Sequence, residues 1–305
     1  MLSYQHAFHA GNHADILKHY VLCSVIQSLN QKEKPYTLYD THAGSGLYDL
    51  LDNRSLKTNE AEKGIIALTE FLKNNRTPDQ VQSAQTFNSY ISLAQKYLEK
   101  NLYPGSPIIE SELIRSQDTL ILSELHPQEI QNLRDNLHKR QTATTGPQKH
   151  IQIHNRSGWE TFNALTPPAT KRGAALIDPS YEESDDYGQA AKTICAVYKK
   201  WTNGIIMLWY PLLAHRETEI NNMLAQITDY VKSINTNTQI NRYELCVNSK
   251  DSHKEVSLQE VLEDSDKKNP PRLYGSGMLV INTPWNLVQE ADTTLSFLEQ
   301  VLWNS

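Results

Sequence analysis

Short apolar runs punctuate this chain, each followed by a longer stretch in which apolar residues return at helical spacing. The runs predict strands at 36–40, 119–124, 150–154, 174–178, 204–210, 243–247 and 277–282. Each is rich in Ile, Leu, Val, Ala or Tyr and bounded by turn-forming or polar residues, as buried strands are. Their alternation with helical stretches predicts βαβ units, hence an α/β fold built on a mostly parallel seven-stranded sheet. Ahead of the first strand, Ile16, Leu17, Tyr20, Val21, Ile26 and Leu29 recur at roughly helical spacing, which predicts a helix with Asn12 as its cap.

The first two strands lie much further apart than a simple βα connection requires. Between them, residues 55–100 are rich in Glu, Lys, Gln, Ala and Leu and read as two or three inserted helices, with Arg76-Thr77-Pro78-Asp79 as a turn between two of them. The chain thus divides into a core at 1–54 and 105–305 and a helical insertion subdomain at 55–104. A second polar stretch, 249–272, separates the last two strands and reads as a helix or long loop. No internal repeat or low-complexity tract stands out.

The 305 residues suffice for one large α/β domain or a core with an insertion, and the hydrophobic fraction of 39% is low but enough for a packed core. No apolar run is long enough to span a bilayer, and the N-terminus has no basic stretch leading into an apolar one, so neither a membrane span nor a signal peptide is expected. Cys23, Cys195 and Cys246 are far apart and form no CxxC pair, which suits reduced, buried thiols in a cytoplasmic protein. The net charge of −6 argues against non-specific nucleic-acid binding. Local basic patches remain open at His138-Lys139-Arg140, at 149–156, and at Lys267-Lys268 with Arg272, each equally readable as a solvated loop. His6, His9, His13 and His19 crowd the N-terminus, but their spacing matches no closed zinc pattern and no cysteine is near. They read as polar residues lining a pocket, or as a capping segment.

Three strand ends carry the chemistry. The first ends in Asp40 and opens into Thr41-His42-Ala43-Gly44-Ser45-Gly46, where glycines tolerate positive φ and let the backbone approach a ligand. Gly44-x-Gly46 lacks the third glycine of the dinucleotide fingerprint and by itself equally describes a tight strand–helix turn. The second ends in Glu124, where an acid can accept hydrogen bonds from vicinal ribose hydroxyls. The third, Gly173-Ala174-Ala175-Leu176-Ile177, ends in Asp178-Pro179-Ser180-Tyr181, close to the Asp/Asn-Pro-Pro-Tyr/Phe of amino methyltransferases. An adenine amino nitrogen is a poor nucleophile because its lone pair is delocalised into the ring. A carboxylate and a proline-fixed carbonyl can both accept from the NH2, favouring a pyramidal nitrogen aimed at a methyl donor. Tyr181 is expected to offer a face for an extruded base. A plain turn after a core strand is the competing reading, since Asp-Pro is common there. The order Asp40, Glu124, Asp178 favours the methyltransferase.

With those motifs in place, the chain resembles the bacterial 23S ribosomal RNA adenine-N6 methyltransferases of the RlmJ type over essentially its whole length. The resemblance is carried by Met1-Leu2-Ser3-Tyr4, Phe8-His9-Ala10-Gly11-Asn12-His13-Ala14-Asp15, Leu17-Lys18-His19, Asp40-Thr41-His42-Ala43-Gly44, Tyr103-Pro104-Gly105-Ser106-Pro107, Glu124-Leu125-His126-Pro127, Leu208-Trp209-Tyr210-Pro211 and Ser276-Gly277-Met278. It implies a Rossmann-like class I fold, dependent on S-adenosylmethionine (SAM) and working without a metal. It implies cofactor contacts at His19, His42, Gly44, Ser106, Glu124, Ser157, Gly158 and Asp178, with Lys18 beside them to meet the methionine carboxylate. Asp178 is the implied catalytic residue, with Pro179 and Tyr181, while Tyr4 and Tyr181 are the implied substrate contacts. The implied substrate is 23S rRNA, protein-free or in early assembly, met by a cytoplasmic monomer with no membrane partner.

Two departures stand out. Ser180 replaces the usual second proline, which loosens the loop while leaving the Asp178 carboxylate and Pro179 carbonyl in place. Ser157 replaces the family's usual Asp, a weaker acceptor for the cofactor's adenine amino group. The competing functions are an amino methyltransferase for DNA adenine or protein glutamine, and an RNA-binding relic. Glutamine enzymes usually carry Asn where this chain has Asp178, and no DNA-reading module is visible.

Overall fold

The structure, a computed structural model, describes residues 5–143, 147–250 and 273–303. Its main sheet contains seven strands: β1 (Thr37–Asp40), β4 (Thr119–Ser123), β5 (His150–His154), β6 (Gly173–Ile177), β7 (Ile205–Leu212), β8 (Ile240–Cys246) and β9 (Gly275–Ile281). The order is β5-β4-β1-β6-β7-β9-β8, with β5, β4, β1, β6 and β7 parallel and β9 antiparallel to both its neighbours. All seven expected strands are present, most displaced by one to three residues at their ends. The Rossmann-like α/β arrangement expected from sequence is therefore the observed one. It departs from the dinucleotide-binding order in the antiparallel β9 slotted between β7 and β8.

The helix α1 (His13–Asn30) starts where expected, with the Asn12 side chain accepting from the Asp15 amide at 3.0 Å. In the structure α1 is buried almost all round, because it lies between the sheet, the inserted helices and the helix Trp285–Leu302.

Two three-residue strands escaped the sequence reading: β2 (Leu47–Asp49) and β3 (Leu102–Pro104), paired antiparallel with Leu47 opposite Pro104. They are too short for alternation to register, yet they draw together the two ends of the inserted segment. That segment holds α2 (Asn53–Thr58), a π-helical turn at Glu62–Ile66, α3 (Ala67–Asn74), α4 (Asp79–Gln82) and α5 (Gln85–Leu98), more pieces than expected. Its buried residues Ile65, Leu68, Phe87, Tyr90 and Ala94 join the core around α1. The other face of the sheet packs on α9 (Asp185–Lys200) and α10 (Glu217–Ile234) through Ile194, Val197, Tyr198 and Ile227.

Of the expected basic patches, Arg140 pairs with Glu112 at 2.7 Å, Arg156 with Glu160 at 2.9 Å, and Lys149 donates to the Ser111 and Glu112 carbonyls. Lys267, Lys268, Arg272 and most of the 249–272 stretch lie outside the described residues. Cys23 is buried as expected, whereas Cys195 and Cys246 are half-buried. No described helix is long and apolar enough to cross a membrane.

Candidate active site

The chain leaves β1 first toward β4 and β5 and later returns to β6 on the other side. This makes β1 a switch point, and the crevice beyond its carboxyl end is where open α/β sheets bind ligands. A cleft with a cavity volume of about 220 Å3 lies there, and concave, partly apolar clefts of this kind are where small molecules bind. Lys18, His19, His42, Gly44, Ser106 and Glu124 line it from β1, β4 and the helices beside them. Ser157, Gly158, Asp178 and Pro179 line it from β5 and β6. The sequence-expected residues thus meet in one cavity, with two exceptions: Tyr4 lies outside the described residues, and Tyr181 does not line it.

The glycine loop is tied to the second acid. Glu124 accepts from the Gly44 amide through one oxygen and from the His126 amide through the other, both at 2.7 Å. Gly44 has φ +59, and a Cβ there would collide with the Tyr48 hydroxyl. Burial raises the Glu124 pKa, against those two amides. Asp40 is fully buried and orders the loop from below, accepting from the Ser106 hydroxyl at 2.7 Å and the His42 amide at 3.2 Å. Burial pushes its pKa up to about 7 despite both bonds. Burial likewise lowers His42 to about 4 and His19 to about 3, so both imidazoles are neutral at pH 7.

One side of the cleft combines an acceptor at Glu124 with the start of α8 (Gly158–Leu165). Ser157 caps α8 without a side-chain cap bond, so its hydroxyl is not committed to the helix. A Cβ on Gly158 would strike the Thr41 carbonyl oxygen, and only glycine lets α8 start this close to β1. Trp159 follows, its ring 4.8 Å from that of His42 and edge-on to it.

At the other end, Lys18 Nζ lies 2.6 Å from Asp178 Oδ2 and 2.8 Å from Asp15 Oδ1. Lys18 lines the cleft, and its ammonium, expected beside a methionine carboxylate, is shared between two protein carboxylates. Burial alone would neutralise it, and the charges of Asp15 and Asp178 hold it protonated instead. Tyr181 lies away from the stacking position expected of it. At φ +52 its ring turns into the core, 4.6 Å from Tyr187, and its hydroxyl donates to the Trp209 carbonyl at 2.9 Å. In this conformation it presents no open face to a base.

The histidine-rich N-terminus also resolves. His6 and His19 line the cavity, whereas His9 bonds Glu60 at 2.9 Å. No group of three or more His, Cys, Asp or Glu suited to a metal occurs among the described residues. Sequence reasoning missed Asp15, Tyr48, Glu129, Trp159, Glu182 and Asp186 as members or neighbours of the site. Asp15 was hidden because Asn12-x-x-Asp15 already reads as helix capping.

Comparison with known proteins bears on the family and the fold. The sequence model of the family described as "Ribosomal RNA large subunit methyltransferase D, RlmJ" matches residues 33–258. The chain is similar to the "Ribosomal RNA large subunit methyltransferase J" of Haemophilus influenzae, at 36% identity over 99% of this chain and 94% of that protein. It is similar to the protein of the same name from Escherichia coli K12, at 35% identity and the same coverages. A solved structure of a Legionella pneumophila protein superposes with a TM-score of 0.74 at 28% identity, covering 96% of this chain and 94% of that one.

Proposed function

Because the chain belongs to the RlmJ family of large-subunit ribosomal RNA methyltransferases, we propose that it methylates the N6 amino group of an adenine in 23S rRNA. The observation that carries the reading is the placement of Asp178 and Pro179 in the same cleft as the Gly44 loop and Glu124. The cofactor is SAM, which when bound supplies a sulfonium methyl group and leaves as S-adenosylhomocysteine.

The residues divide the work. Glu124 would accept from the ribose, the Gly44 loop and Ser106 would hold the tail, and Ser157, Gly158, His42 and His19 would complete the cofactor wall. Lys18 engages one oxygen of Asp178, leaving the other to accept from the adenine amino group, while the Pro179 carbonyl accepts the second amino hydrogen. The nitrogen lone pair is then turned out of conjugation and toward the methyl donor. The proton lost by the nitrogen as the new N–C bond forms leaves through the Asp178 side. Tyr4 is the substrate contact in this reading, and residues 55–104 are a helical subdomain inserted in a core of 1–54 and 105–305. The enzyme works as a cytoplasmic monomer, on RNA that is protein-free or in early assembly.

The test is mass spectrometry of 23S rRNA from cells with and without the gene. The reading expects one N6-methyladenosine to vanish on deletion and return on complementation. An unchanged rRNA, with methyl label instead in DNA or protein glutamine, overturns it.

A further inference from the structure

Asp15 sits in the first turn of α1, is 1% exposed, and is not part of the cavity lining. Its two oxygens serve different partners. Oδ1 lies 2.8 Å from Lys18 Nζ, whose other carboxylate neighbour is Asp178 at 2.6 Å. Oδ2 accepts from the Gly11 amide at 2.8 Å and meets His6 Nε2 at 2.9 Å. The same N-terminal stretch is fastened to the inserted helices. The Gly11 carbonyl accepts from the Ile65 amide at 2.8 Å, His9 and Asn12 hold Glu60, and the Thr58 hydroxyl donates to the Phe8 carbonyl. One buried carboxylate therefore stands between the segment that leads to Tyr4 and the cation that holds Asp178.

We propose that Asp15 is a positioning residue for methyl transfer: one oxygen sets Lys18 against Asp178, and the other seats the 6–11 segment, so the acceptor end of the site is assembled only when that segment is in place. This rests on the reading that Asp178 receives the adenine amino group. A solvent-facing helix acid would be a weak cap contributing to the dipole alone. Buried, ion-paired through one oxygen, hydrogen-bonded through the other, and two contacts from the reacting end, Asp15 decides where Lys18 points. An amide in its place turns an NH2 or a neutral oxygen toward the ammonium, and Lys18 is then drawn toward Asp178 alone or away from it.

The experiment compares Asp15→Asn, Lys18→Met and the double variant, measuring SAM affinity by calorimetry and methyl transfer to a 23S rRNA fragment. The expected result is a fall in kcat of about tenfold to a hundredfold for Asp15→Asn, the scale of a small misplacement at a reacting centre, with the SAM Kd unchanged. Because Asp15 acts on Asp178 through Lys18, adding Asp15→Asn to Lys18→Met should cost less than Asp15→Asn costs alone. A wild-type kcat in Asp15→Asn, an equal loss of SAM affinity, or effects that multiply in the double variant would each overturn the proposal. If Asp15→Asn does not fold, Asp15→Glu decides: it keeps the charge but shifts its reach, and a wild-type kcat there overturns the proposal. A wild-type enzyme that binds SAM yet leaves adenine unmethylated would instead refute the reading beneath it.

Discussion

The Lys18 ammonium lies 2.6 Å from Oδ2 of Asp178, joining the second turn of the first helix to the carboxyl end of β6. Asp178 is held from one side, and its free oxygen points the chemistry. Asp178→Ala should fold, because Lys18 retains Asp15 as a partner. It should lose about a hundredfold to a thousandfold in methyl-transfer rate, the usual cost of one preorganised hydrogen-bonding group at a reacting centre. Single-turnover transfer to a 23S rRNA fragment checks this, and a wild-type rate would remove Asp178 from the mechanism.

Glu124→Ala should weaken SAM binding while leaving a folded protein. It deletes the ribose acceptor and also frees the Gly44 and His126 amides that Glu124 now holds. Hydrogen bonds to a charged group contribute about 1.5–3 kcal/mol each, so the Kd should rise by at least tenfold. Calorimetry showing unchanged affinity would sink the assignment.

Gly158→Ala should lower both melting temperature and SAM affinity. The new methyl must displace α8 from the Thr41 carbonyl, moving Ser157 and Trp159 with it. Overpacking of this kind costs about 1–3 kcal/mol. A thermal melt and a SAM titration identical to wild type would show that α8 can shift freely.

Tyr181→Phe tests where the tyrosine resides. The hydroxyl donates to the Trp209 carbonyl inside the core, and its loss should cost about 1–3 kcal/mol, lowering the melting temperature by several degrees with kcat little changed. A melting temperature equal to that of the wild type would mean that the side chain leaves the core, as a stacking role requires.

Asp40 gives a pH dependence. Its pKa is raised by burial from 3.8 to about 7 in the folded protein, so the folded state binds the proton more tightly than the unfolded state. That contribution to stability is complete below pH ~4 and is lost as the pH rises through about 7. Asp40→Asn cannot titrate. Measured against wild type, its relative stability should therefore be greater at pH 8 than at pH 5, whatever constant penalty the lost Ser106 and His42 bonds impose. A difference in melting temperature that does not vary with pH would place the Asp40 pKa in the ordinary range.

The sequence by itself determined the sheet, the capped first helix and the three acid-ended strands. Apolar runs and acidic strand ends are local features, and in an open α/β fold local order dictates which ends face the crevice. Glu124 and Asp178 therefore line one cleft, with Asp40 buried beneath its glycine loop. The short β2 and β3 were not legible, since three residues carry no period. Only the tertiary structure decided what the charges do once there. Lys18 is a turn away from Asp15 in sequence, but that it also reaches Asp178 depends on how α1 lies across the sheet. Tyr181 was expected to offer a stacking face from its place in the Asp178-Pro179-Ser180-Tyr181 motif, and it is buried because Tyr187, Trp209 and Met223 arrive from three other elements. Periodicity reports the side of an element a residue occupies. The partner a buried polar group finds is set by packing between elements distant in the chain, where burial makes each unmatched charge costly.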